Sequence, residues 1–298
     1  MKNSSLMNWF YLSLLVVFWG STFALTKYAL YDFSPLWIVS LRLSVGFIII
    51  YSILKLRGEN LPTGLVNWAW LALVGLTAFF PFFLICWGTQ YLDTNISGIL
   101  FGIGPIFTVL AAHFLVPNEK LNMLKFFGVI IGFAGLYILL FEKTNTSITS
   151  NDFKMLSQIS ILLAAIGYSI QNIAVNVMPN ITLMQKTSGS FLFASSFAFI
   201  TAMLFEGPPV IEIFNISFIS VLLMGIFSTA MASMVMFNLT KVAGPTFVSL
   251  THYILPVYVV VLGGFLLKED IRLSQIIGMF VILVGIVLTR IGSNKISN

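Results

Sequence analysis

Of the 298 residues only 8% are charged while 58% are hydrophobic, and the mean hydropathy is +1.00; a water-soluble domain has about a quarter charged side chains. So little polar surface cannot coat a particle in water, which excludes an ordinary soluble globule and leaves lipid as the medium the apolar residues face. The net charge of +5 comes from fifteen Lys and Arg scattered singly, with no basic stripe, so nucleic acid is excluded as a partner.

Apolar segments follow at residues 9–30, 35–55, 67–90, 94–116, 122–141, 155–177, 186–205, 216–238, 244–267 and 274–292. Each is about the 20 residues that a membrane-crossing helix needs. Runs such as 45–53 and 127–140 are apolar on both faces, unlike the alternating strands of a membrane barrel. The first segment is too long for a signal-peptide core and has no basic stretch beyond Lys2, so it is expected to remain as the first span. The sequence thus predicts an all-α polytopic membrane protein of ten transmembrane helices. Its single cysteine, Cys86, lies in the third segment and rules out an internal disulfide. The most polar stretch, 142–152, is the natural midpoint. It divides the chain into a first five-helix unit, 1–143, a linker, 144–152, and a second five-helix unit, 153–298.

With the N-terminus inside, the cytoplasmic side receives Lys2, Lys55, Arg57, Lys120, Lys125, Lys186, Lys241, Arg290 and Lys295, and the outer side only Lys27, Lys143, Lys154, Lys268 and Arg272. Basic residues favour the cytoplasmic face, so both termini are expected there and the 142–152 loop outside.

The two halves repeat. Residues 91–105 lie over residues 242–256 at an offset of 151, and both stretches end in a proline within the membrane, Pro105 and Pro256. An acidic residue follows each, Glu119 and Glu269, and then Gly128 with Gly135 and Gly278 with Gly285, at an offset of 150. Five spans per half is an odd number, so the second copy enters the membrane from the opposite side. This predicts an inverted five-plus-five repeat with a pseudo-two-fold axis in the membrane plane, and Pro105 and Pro256 as its hinges.

These residues resemble the drug/metabolite transporter superfamily and, within it, the ten-helix EamA-type carriers. Residues Phe18-Trp19-Gly20-Ser21-Thr22-Phe23 are similar to the family's opening motif; Pro35 with Leu41-Arg42-Leu43 looks like its proline and arginine pattern; Pro105 to Glu119 and Pro256 to Glu269 look like its repeated signature. The resemblance implies secondary transport without ATP, usually export of amino acids or other small metabolites across the cytoplasmic membrane of a bacterium.

Independently of that resemblance, no phosphate-binding Gly-x-x-x-x-Gly-Lys-Ser/Thr loop is present, so ATP hydrolysis is not expected. The two histidines, His113 and His252, fall on separate segments without carboxylates near them in sequence. No metal site, catalytic residue or cofactor is expected, and the chain does not read as an enzyme. An ionised side chain at mid-membrane costs at least ~2.5 to 3.5 kcal/mol, and Arg42 is the clear instance. It reads either as a contact for an anion or carboxylate, or as a side chain that snorkels to the headgroups or bonds helix-end carbonyls. Lys27, nearer its helix end, reads as an interfacial anchor. His252, one turn before Pro256, reads either as a proton acceptor or as a neutral histidine bonded to a hydroxyl.

Uncharged groups fill out the candidate lining. Tyr168 shares a helix face with Gln171 and Asn172, and Trp19 shares one with Thr22; amides are costly in lipid, so these faces turn inward. Phe101 matches His252 across the repeat, and Tyr253 is adjacent. The glycines read as close helix packing. The sequence therefore predicts a substrate site of Trp19, Thr22, Arg42, Phe101, Tyr168, Gln171, Asn172, His252 and Tyr253, suited to a zwitterionic or amphipathic solute. Export of an amino acid or similar metabolite leads; uptake of a nucleoside or vitamin-like solute, an intramembrane enzyme and a receptor-like scaffold are the alternatives. The expected partners are the solute, the lipid bilayer and, for coupling, protons, with the protein a monomer or homodimer.

Overall fold

The computed structural model describes residues 2–107, 110, 121–140, 151–178, 181–210, 212–243, 245–248 and 250–294. Among them the only regular elements are helices: α1 (Lys2–Ala29), α2 (Pro35–Leu56), α3 (Leu65–Tyr91), α4 (Thr94–Phe101), α5 (Met123–Leu140), α6 (Asn151–Val177), α7 (Leu183–Glu206), α8 (Ile216–Leu223), a π-helix (Met224–Met231), α9 (Ala232–Ala243), α10 (Pro245–Val248), α11 (Thr251–Leu266) and α12 (Leu273–Asn294). In hydrocarbon each backbone N–H and C=O must find its partner within the protein, which helices provide along their own length. Among the described residues six helical stretches are long and apolar enough to cross a membrane, and Thr94–Phe107, Met123–Leu139, Ile254–Leu266 and Leu273–Thr289 are shorter apolar helical stretches. These ten fall on the ten segments read from hydropathy. The outside of the bundle is apolar too: Ile48, Phe80, Phe199, Ile200, Val261 and Phe280 are exposed, as a lipid-facing surface requires.

Local sequence sets several helix ends. Pro35 opens α2, with Ser34 accepting a hydrogen bond from the Trp37 N–H at 3.4 Å; proline suits the first turn, where its missing N–H has no partner to lose. Thr182 and Gln185 form a reciprocal capping box at the start of α7. α4 breaks at Gly102–Ile103, just before Pro105. Proline there removes one hydrogen bond and crowds the carbonyl four residues back. Pro256, by contrast, lies inside the continuous α11. The π-helix was not foreseeable from hydropathy, which runs unbroken through it.

α5 packs along α12, α3 against α6 and α7, α2 against α7 and the π-helix, α1 against α11 and the α8-to-α9 stretch, and α4 against α11 and α6. In lipid, helices associate through close backbone approach. A Cβ on Gly285 would lie 2.6 Å from the Gly128 carbonyl oxygen, and one on Gly135 would lie 2.8 Å from that of Gly278. The glycines that repeat at an offset of 150 therefore face one another across α5 and α12.

Candidate functional site

Arg42 projects from α2 into the bundle interior, where its side chain is 1% exposed. Its Nε and Nη2 donate to Thr229 Oγ1 of the π-helix at 3.4 and 3.3 Å, at or beyond the long end of hydrogen bonding. Its Cζ lies 4.4 Å from the centre of the Phe82 ring of α3, a cation-π contact. Nη1 has no hydrogen-bond partner among the described residues. Snorkelling does not occur; the guanidinium is held inside the protein. What lets α2 come so near the π-helix is the absence of side chains: a Cβ on Gly46 would lie 2.6 Å from Thr229 Cγ2, and one on Gly225 would lie 2.6 Å from Val45 Cβ. A π-helix also shifts side chains relative to an α-helical register, and such turns recur at functional sites.

Aromatic rings extend from Arg42. Phe82 meets Tyr168 of α6 edge-on with centroids 5.6 Å apart, Tyr168 meets Phe101 of α4 at 5.3 Å, and Phe101 meets Phe23 of α1 at 6.0 Å. Thr26 and the buried Cys86 complete the cluster, with Thr26 Oγ1 donating to Met224 Sδ at 3.5 Å. The groups around the guanidinium are thus a hydroxyl, a thiol, a phenol and aromatic rings, none of them anionic. The arrangement can bind and orient an acceptor.

A cavity of about 720 Å³ lies at one end of the bundle, lined by Lys27, Tyr31, Asp32, Pro35, Gln90 and Tyr91 among others. Lys27, read from the sequence as an interfacial anchor, is one of the residues that line this cavity. Its charge is opposed by Glu269 and Asp93. Glu269 itself accepts the Thr94 and Asn95 backbone N–H groups at 2.6 and 2.9 Å, so the segment after α11 caps the N-terminus of α4, where the helix dipole favours an anion. Lys268, just before it, takes a φ of 53°, an uncommon left-handed backbone for a lysine, and this turn aims Glu269 back at α4. Asn95 then donates to Gln275 Oε1 at 3.1 Å.

Of the residues that sequence singled out, Arg42, Tyr168 and Phe101 come together. Thr22 is buried with its hydroxyl turned back to the Phe18 carbonyl at 3.4 Å, and half-buried Trp19 packs between two apolar clusters. Gln171 is half-buried one turn beyond Tyr168, and His252 half-buried one turn before Pro256. The side chains of Asn172 and Tyr253 lie outside the described residues. Sequence reasoning missed Phe82, Thr229, Tyr258 and the capping role of Glu269. Tyr258 covers Gly20 and shares a hydrogen bond with Ser21 at 3.0 Å. The spacing Phe82, Cys86, Gln90 at successive i, i+4 positions was a usable signal for the α3 face; Thr229 carried none.

The sequence profile of the EamA-like transporter family matches residues 7–141 and again residues 155–291. An uncharacterized transporter of Bacillus subtilis, YoaV, is 24% identical over 274 residues, 91% of this chain and 92% of that protein. Protein PagO of Salmonella typhimurium is 26% identical over 282 residues, 93% of this chain and 90% of that one. The uncharacterized inner membrane transporter YedA of Escherichia coli is 23% identical over 283 residues, 93% and 89%. A solved crystal structure superposes over 100% of both chains with a TM-score of 0.69 at 17% identity, a likeness of fold.

Proposed function

The chain belongs to the EamA-like transporter family, and from that premise we propose that it exports a small organic metabolite, an amino acid or a related amphipathic solute, across the cytoplasmic membrane of a bacterium by alternating access. The observation that carries this reading is the Arg42 cluster: a buried guanidinium with one donor unused among the described residues, surrounded by residues from both matched halves. An unpaired polar group in a dry interior costs about 1 to 3 kcal/mol. Such a cost persists where a solute relieves it.

The helix pairs support an inverted repeat. Exchanging each segment for the one five places later turns the third-on-sixth pair into the eighth-on-first and the third-on-seventh into the eighth-on-second, and it returns fourth-on-ninth and fifth-on-tenth to themselves. Two halves related in this way open to either side by trading conformations. The Lys and Arg distribution favours both termini in the cytoplasm, and on that reading the end that carries the 720 Å³ cavity faces outward. Movement against a gradient without a nucleotide site needs an ion, and His252 near Pro256 is the group suited to carry a proton.

The test is counterflow of a panel of metabolites in proteoliposomes, with and without a pH gradient. Exchange of at least one solute is expected, and its absence for every solute would refute the carrier. His252→Gln keeps the exchange and loses accumulation driven by the gradient; if accumulation survives, coupling lies elsewhere. Gln171→Leu weakens solute affinity by about ten- to a hundredfold, the worth of one lost hydrogen bond to an amide.

A further inference from the structure

Arg42 narrows the chemistry of the solute, an inference that rests on the carrier reading above. Three of the helices that line the cavity, α1, α2 and α3, also carry the residues around Arg42. On α3, Gln90 lines the cavity, Cys86 lies one turn deeper and Phe82 one turn deeper again. On α1, Lys27 lines the cavity and Phe23 follows one turn below. On α2, Pro35 lines the cavity and Arg42 is two turns below on the same side. Below the cavity these faces carry Phe23 and Phe82, joined through Phe101 and Tyr168, and Arg42, whose Nη1 has no hydrogen-bond partner among the described residues.

The charge in that interior is one-sided. Arg42 supplies a cation, and none of the ten Asp and Glu of the chain falls inside an apolar segment. A carboxylate entering here replaces its hydration with Nη1 of the guanidinium, the edge that has no hydrogen-bond partner among the described residues, and the two charges offset each other. An ammonium group would leave water with no anion to receive it. A neutral amide would leave the arginine uncompensated.

We propose that the solute is an organic monocarboxylate with an apolar or aromatic body and no ammonium group, its carboxylate bound by Arg42 Nη1 and its body laid along Phe82, Tyr168 and Phe101. Within the amphipathic class proposed above, this selects the singly charged acid over the zwitterion. Thr229 holds the other edge of the guanidinium and so orients Nη1; the π-helix that presents it belongs to the second matched half, so occupancy at Arg42 draws on both halves.

The test uses matched probes: phenylpropanoate and isocaproate, each beside its amide and beside the amino acid of the same skeleton, phenylalanine and leucine. Binding is measured by titration calorimetry on the purified full chain at neutral pH. Each acid is expected to bind at least about tenfold more tightly than its amide and its amino acid, one charge-assisted hydrogen bond being worth that much or more. Arg42→Gln should erase the preference for acid over amide. Arg42→Lys keeps the charge but not the fork, and should keep the preference at weaker affinity; it also guards against a folding defect in the glutamine variant. The inference is overturned if phenylalanine or leucine binds more tightly than its deaminated acid, if neither acid outbinds its amide, or if Arg42→Gln binds the acids as the parent does. The same probes in proteoliposome counterflow separate the two levels. Exchange that favours amino acids sinks the monocarboxylate and leaves the carrier; Arg42-dependent acid binding with no exchange of any solute sinks the carrier and leaves the anion site.

Discussion

Replacing Glu269 by glutamine tests whether the end of the bundle next to the Lys27-lined cavity is held by a carboxylate across the two halves. In the structure both Glu269 oxygens accept backbone N–H groups, from Thr94 at 2.6 Å and Asn95 at 2.9 Å. Hydrogen bonds to a charged group contribute about 1.5 to 3 kcal/mol each when buried, and an anion at a helix N-terminus adds up to about 1. A glutamine keeps one acceptor, turns its NH₂ against the other N–H and carries no charge. Because Glu269 is part-exposed, solvent screening removes a large share of the gross loss; about 2 kcal/mol remains, or about a thirtyfold increase in the opening of this contact. The assay is alkylation of a cysteine placed at Ser97, which is buried one turn into α4, in a Cys86→Ala background. With opening faster than labelling, the rate follows the open fraction, so Glu269→Gln should label about thirtyfold faster. A rate within twofold of the parent would refute the reasoning and leave Glu269 an ordinary loop residue.

Two further outcomes follow from geometry. Gly285→Ala should destabilise the protein by about 1 to 2 kcal/mol in a detergent unfolding titration, because the new methyl meets backbone atoms of Gly128 and Gly132 at 2.6 Å, which cannot give way. Gly104→Ala, where among the described residues nothing lies within 4 Å of the new Cβ, should be neutral or slightly stabilising; equal losses at both would remove the case for close packing. For topology, a cysteine at Thr146 in a Cys86→Ser background should react with impermeant reagents from outside intact cells. Reaction only from the cytoplasmic face would reverse the orientation.

The spans were legible in the sequence because hydropathy is a local property: a stretch of about 20 apolar residues has few places to go except lipid. The break in α4 was legible only in part: the sequence marked Pro105 as a hinge, but Pro256, marked in the same way, sits inside the continuous α11. Helix partners were not. Helices apolar all round carry no stripe to name the neighbour, and in lipid the hydrophobic effect gives no preference among them. The repeat spacing singled out Gly128, Gly135, Gly278 and Gly285, yet only the fold brought the first two against the last two. Arg42 stood out in the sequence by its cost, but the choice between snorkelling and an interior site was made by Gly46 and Gly225, which let α2 and the π-helix close around it, and by Thr229, 187 residues away. Glu269 read as one element of a repeat, and its role as a cap on α4 appeared only in three dimensions, 175 residues from its partner. A sequence states what each residue costs to bury, and the tertiary structure alone decides which group is set against it.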